Sequence, residues 1–169
     1  LVPNLRRLCF LFDRSAEPDA LTYAKEFNAL ARGAGMTVRT LPVGSLDDLR
    51  SALRTVQKER PQVLMVWSSP LMTQHRRTIM DSVAHRLPVI SDGQTFAEAG
   101  ASLTYSVDWL DMFRRSAAYV DKILKGTKPG DLPIEQPTKF KLVVNLKATK
   151  ALGIKVPESI LVRADEIIR

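Results

Sequence analysis

Cysteine is almost missing: in 169 residues there is one, Cys9. A lone thiol closes no internal disulfide and builds no metal cluster. Its place in the apolar run Leu8–Phe12 marks it as a small buried hydrophobe rather than a reactive group. There are only two histidines, His75 and His85, ten residues apart on one expected helix and so on different faces. With no cysteine and no acidic partner one turn on, they predict no metal site, and His75 beside Arg76 and Arg77 reads as a solvated face. No apolar run approaches the ~20 residues that a membrane-spanning helix needs. The nucleophile elbow G-x-S-x-G, the P-loop and the dinucleotide fingerprint G-x-G-x-x-G are all absent. Gly33 and Gly35 follow a helix rather than open one, so they terminate it. With no nucleophile–base pair either, the sequence predicts no catalysis, no cofactor and no bound metal.

What is present describes a folded α/β chain. Hydrophobic residues make up 45% and charged residues 25%, which separates it from disordered sequences, and the length suits one domain with a sizeable core. The net charge is +7, but Lys and Arg are spread along the chain. No basic run is interleaved with aromatics, so no nucleic-acid partner is expected. The charge instead tunes solubility or attraction to anionic ligands. The chain starts at Leu1 rather than Met, which reads as a mature product, a fragment or a trimmed chain and puts any signal peptide out of view.

Apolar periodicity alternates strand and helix. Leu8–Phe12 reads as a strand buried on both faces, and residues 20–32 carry Leu21, Ala24, Phe27, Leu30 and Ala31 at helical spacing. Met36–Leu41 reads as a second strand. Ser45 with Asp48 resembles a helix cap, followed by the stripe Leu46, Leu49, Leu53, Val56 and a stop at Pro61. Val63–Trp67, Leu87–Ile90 and Leu103–Tyr105 read as further strands. Ser68-Ser69-Pro70 opens a helix running through His85, and Ser106-Val107-Asp108 caps a long helix from Trp109 to Lys125. This rhythm predicts a three-layer parallel sheet flanked by helices, strand order 2-1-3-4-5 by analogy with flavodoxin-like sheets. The expected division is residues 1–108 as a lobe with five parallel strands, 109–130 as long helix and crossing, and 131–169 as a returning strand and C-terminal helix. The long helix carries Trp109, Met112, Phe113, Ser116, Val120 and Ile123 on one face and Leu110, Ala117 and Leu124 on another. That wide arc reads either as deep packing or as contact with a second lobe or subunit.

Open α/β sheets bind ligands at the carboxyl ends of their strands. Those ends carry Asp13, Arg14 and Ser15; Ser68, Ser69 and Pro70; Asp92 and Gln94, with Phe96 close by; and Tyr105 and Asp108. Each serine alone reads as an N-cap, but the convergence of loops points to a ligand site. A receiver-type phosphorylated aspartate at Asp13 is disfavoured, because the fifth strand lacks the lysine such a site needs.

Several stretches resemble the substrate-binding proteins of ABC transporters, of the type linked to tryptophan, tyrosine and other small organic ligands. They are residues 118–126 (AYVDKILKG), 132–140 (LPIEQPTKF), Asn145-Leu146-Lys147 with Ala151-Leu152-Gly153, and Arg163-Ala164-Asp165-Glu166, with weaker support from 85–90 and 96–100. The resemblance implies one lobe of a periplasmic-binding-protein-like fold. It also implies a periplasmic or lipid-anchored solute-binding component that takes an amino acid or aromatic acid and presents it to a membrane permease. The family usually has an Asn-Pro-type loop after the first strand and Gly after the Tyr of the fifth; here stand residues 13–18 (DRSAEP) and Ser106. Family members carry another lobe before the segment matching Leu1, so only one wall of the cleft is expected here, and a dimer through the exposed apolar face of the Trp109–Lys125 helix follows. A ligand-sensing or interaction domain of a regulatory protein is the alternative reading.

Overall fold

The computed structural model describes residues 1–16, 18–83 and 86–169. The strands are β1 (Arg7–Asp13), β2 (Thr37–Val43), β3 (Val63–Val66), β4 (Val89–Ser91), β5 (Leu103–Val107), β6 (Phe140–Asn145) and β7 (Glu166–Ile168). They form one sheet in the order β2-β1-β3-β4-β5-β6-β7. The first five in chain order run parallel, in the order read from the sequence. β6 lies antiparallel to β5, with Val107 opposite Phe140 and Leu103 opposite Val144, and β7 runs parallel to β6.

Helices cover both faces. On one side α1 (Ala20–Gly33) sets Ala20, Ala24 and Ala31 against Leu8, Phe10, Phe12 and Val63. Small alanines let this helix lie close to the large aromatic side chains of β1. On the other side α2 (Leu46–Glu59), α3 (Pro70–Gln74), α4 (Arg76–Val83) and α5 (Thr95–Glu98) bury Leu49, Leu53, Val56, Met72, Ile79 and Phe96 against Leu11, Leu64 and Val66. Cys9 sits in this second core, and burial first, then the charge of Glu59, pushes its thiol up to about 11. It stays a neutral packing group at ordinary pH, as its apolar surroundings in the sequence indicate.

The structure departs from the sequence reading in three places. The helix expected from Pro70 onward breaks at His75, whose backbone leaves helical values (φ −100, ψ 15), so α3 and α4 are separate; its expected end at His85 lies outside the described residues. The chain ends in a strand, not a helix. Asp165 brackets β6, its N–H donating to the Leu142 carbonyl (2.9 Å) and its carboxylate accepting from the Leu142 N–H (2.7 Å), and Lys141 pairs with Glu166 at 2.7 Å. That double clasp holds Glu166-Ile167-Ile168 extended at the sheet edge, beyond α7 (Leu146–Ala151) and the single turn α8 (Glu158–Leu161). Finally, α6 (Trp109–Leu124) is not deeply packed. Its one buried residue is Asp111, while Trp109, Leu110, Phe113, Val120 and Leu124 are exposed. The segment after it folds back along the helix, held where the Tyr119 hydroxyl donates to the Pro133 carbonyl (2.6 Å) and where Arg115 pairs with Glu135.

Candidate functional site

Because β1, β3, β4 and β5 are parallel, their carboxyl ends share one edge of the sheet, where hydrogen bonds join the loops that carry Asp13, Ser68–Ser69 and Asp92. Asp13, the last residue of β1, is its hub. Its carboxylate accepts from the Ser15 N–H (2.9 Å), the Ser15 hydroxyl (2.7 Å) and the Ser69 hydroxyl (3.0 Å). Burial alone would raise the Asp13 carboxyl, but these bonds and one from the Ala16 backbone outweigh it and hold it below its ordinary value. Ser69 in turn caps α3 by accepting from the Met72 N–H (3.2 Å), with Pro70 at the first position of that helix. Next along the edge, Asp92 accepts from the Ser68 N–H at 2.6 Å, and the Gly93 N–H donates to the Ser91 hydroxyl at 3.1 Å. Gly93 permits this approach: a Cβ there would stand 2.7 Å from that of Ser68.

The remaining predicted residues are distributed around this hub. Arg14 turns away from it to pair with Asp48 of α2 at 3.1 Å, half exposed. Gln94 is half-buried at the start of α5. Asp108 caps α6, its carboxylate accepting from the Asp111 N–H at 3.1 Å. Tyr105 is exposed, its ring stacked on Phe140 of β6 with centroids 5.4 Å apart. Phe96 corrects the expectation of a ligand-facing ring: it is wholly buried in the core beneath α5. It stands in the four-residue helix α5, which turns the ring into the core.

Sequence reasoning missed several partners. Phe140 meets Tyr105 only through the antiparallel β5–β6 register. Asp48 as a partner for Arg14 had no sequence signal beyond its place in a cap. Lys139 reaches back to Asp111, and its hydrogen bond is the main reason the Asp111 carboxyl lies below its ordinary value. Trp67 and Tyr23, 5.8 Å apart, form an aromatic pair beside the edge. Among the described residues no group of three or more His, Cys, Asp or Glu could hold a metal ion, and no helix is long and apolar enough to cross a membrane. The arrangement is a polar, internally hydrogen-bonded edge flanked by exposed rings.

Comparison with known proteins adds a family and a length. The sequence model of one family, ABC transporter substrate binding protein, matches residues 1–168. A solved ABC domain from Streptococcus pneumonia in complex with L-Trp is 29% identical with a TM-score of 0.86, covering 99% of this chain and 57% of that one. A conserved domain protein from Vibrio cholerae has the same TM-score of 0.86 at 23% identity, covering 98% of this chain and 56% of its own, a likeness of fold. The uncharacterized protein RP367 of Rickettsia prowazekii (strain Madrid E) is 19% identical over 161 residues, 95% of this chain and 52% of that protein. The chain thus spans about half the length of the curated relative it matches.

Proposed function

Because the chain belongs to the ABC transporter substrate-binding protein family, we propose that it is the ligand-contacting lobe of a solute-binding component of an ABC importer, without catalysis of its own. It takes a small organic ligand, such as an amino acid or aromatic acid, at the carboxyl edge of its sheet and presents it to a membrane permease on the extracytoplasmic side. The observation that carries this reading is the meeting of the Asp13, Ser68 and Asp92 loops at one edge, beside the exposed ring of Tyr105. The hydrogen bonds around Asp13 and Asp92 hold these loops in shape before a ligand arrives, which lowers the ordering cost of binding. Tyr105, rigid on Phe140, offers an aromatic face to the apolar body of the ligand. The liganded neighbour from Streptococcus, with L-Trp, supports an aromatic amino acid as the first compound to test.

The exposed apolar stripe of α6 needs cover, and a second copy of the chain is the proposed cover where no longer chain supplies it. A thermal-shift panel of amino acids and aromatic acids tests the ligand reading. At least one compound should raise the melting temperature, and Tyr105→Ala should weaken that compound by about tenfold, within the range for loss of one aromatic contact. A flat response across the panel would count against it. Light scattering that finds a monomer at high concentration would remove the dimer.

A further inference from the structure

On the face of the sheet that α2 to α5 cover, a groove of about 490 Å³ opens over the amino ends of β4 and β5, between α4 and α7. Val83, Leu87, Val89, Ala97 and Leu152 give it apolar walls. Two buried polar side chains reach it, Asn145 and Ser102, 6% and 1% exposed. The Asn145 amide is spent within the fold: its Nδ2–H donates to the Ala97 carbonyl (3.2 Å) and its Oδ1 accepts from the Ala148 N–H (2.9 Å). The Ser102 backbone is paired as well, its N–H donating to the Val89 carbonyl (2.9 Å) and its carbonyl accepting from the Asn145 N–H (3.1 Å). The Ser102 hydroxyl, by contrast, meets no hydrogen-bond partner among the described residues. Thr104 and Ser106 continue its row along β5, and their buried hydroxyls are without a partner too, so neither turns to satisfy Ser102.

We propose that this groove binds a compact uncharged molecule, an apolar or aromatic body that carries one hydroxyl, with that hydroxyl seated on Ser102. Apolar walls with a single free polar group at depth are the make-up of a small-molecule site, and the volume lies in the range for one. A serine hydroxyl both donates and accepts, so it matches the hydroxyl of an alcohol or phenol. A ligand without such a group leaves the buried hydroxyl unpaired, and the site discriminates against it for that reason. The described rim carries two acids, Asp81 and Glu98, and two bases, Lys147 and Arg169, all exposed. Neither sign prevails, so the rim draws neither an anion nor a cation. The site shares no residue with the candidate cleft: Ser102 stands four residues before Ser106, about 13 Å down β5 from its carboxyl end. It therefore stands or falls apart from the reading of that cleft.

Four probes built on one ring separate the hydroxyl from shape and charge: p-cresol, toluene, p-toluate and benzylamine. Each is titrated into the chain while the methyl signals of its five methionines are followed by nuclear magnetic resonance. Met80 lines the groove and is the reporter, assigned with Met80→Leu; Met65 and Met112 lie outside it. The Met80 signal should move with p-cresol, which should bind about tenfold tighter than toluene, while p-toluate and benzylamine bind no tighter than toluene. Ser102→Ala should bring p-cresol down to the toluene level and leave the melting temperature unchanged, because no hydrogen bond within the fold is lost. Ala151→Phe, at an exposed position where α7 meets the groove, should block its mouth and weaken every probe with the fold intact. The proposal is overturned by equal affinity for p-cresol and toluene, by a preference for p-cresol that survives Ser102→Ala, by movement of the Met65 or Met112 signal without that of Met80, or by no binding of any probe. A lowered melting temperature in Ser102→Ala would also overturn it, since the hydroxyl would then have a partner inside the fold.

Discussion

Leu64 and Leu124 are the same residue in two different regions. Leu64, in the middle of β3, is 0% exposed, whereas Leu124, at the end of α6, is 82% exposed. The cores of the sheet and the limb formed by residues 108–139 show the same contrast. In the body, leucine, valine and phenylalanine from five helices fill the space against the strands. In the limb, apolar residues of the same kinds face outward, and the burial that does occur is of the acid Asp111. The lesson is that apolar periodicity reports which face of a helix seeks cover, and does not report whether the cover is in the same part of the chain.

The sharpest test of that contrast is a matched pair of truncations. Leu64→Ala should cost about 2–5 kcal/mol in chemical denaturation, from lost burial and the cavity left behind. Leu124→Ala should stay within about 0.5 kcal/mol. Comparable costs for the two would erase the distinction between body and limb. Helix caps give a smaller contrast. Ser45 accepts from the Asp48 N–H at 3.2 Å to cap α2 in the body, as Asp108 caps α6 in the limb. Ser45→Ala and Asp108→Ala should each cost about 1 kcal/mol, but Ser45→Ala should shift the global denaturation midpoint while Asp108→Ala speeds hydrogen exchange within α6.

Acid separates the regions more gently. The Asp13 carboxyl is held low against its own burial by bonds from Ser15, Ser69 and Ala16, and the Glu135 carboxyl is held low by Arg115 and then Tyr119. A carboxyl with a depressed folded-state pKa contributes its full stability above the unfolded value, near 4, and loses it as pH falls through the folded value. Asp13→Asn should therefore flatten the acid side of the global stability profile below about pH 4. For the limb, the smallest effect is expected: Glu135→Gln should leave the global midpoint unchanged and raise proteolysis of the strap around Pro133. A shifted midpoint in that variant would mean that the strap is part of the body after all.

Much of the body was legible in the sequence. Leu8–Phe12 and Val63–Val66 are continuous apolar runs of strand length and both form strands, and Ser45, Ser69 and Asp108 are caps where cap residues stood before apolar stripes. Alternation pointed to a five-strand parallel sheet, and its order came by analogy with flavodoxin-like sheets. The edge of the sheet was legible as a place but not as a set of partners. Asp13, Ser15 and Ser69 converge because parallel strands end together, yet that Ser69 donates to Asp13 depends on the loop path between β3 and α3. Phe96 was misread because a one-turn helix leaves too little periodicity to tell inward from outward. The terminal strand was hidden for a tertiary reason: Glu166-Ile167-Ile168 is extended because Asp165 is clasped by Leu142, more than twenty residues away.

The antiparallel pairing of β6 on β5 has a further meaning. The chain leaves the sheet at Val107 and re-enters it opposite, at Phe140, and the Asp108 N–H donates to the Lys139 carbonyl (3.0 Å) at that crossing. Both ends of the excursion thus sit side by side, as if a long insertion had been spliced into an ordinary hairpin. A two-residue Asn-Gly turn has the geometry to close β5 directly to β6. Such a graft would retain the seven strands in their order and discard α6 with its strap. The most exposed apolar surface in this chain therefore belongs to the one module that the sheet could shed without rewiring.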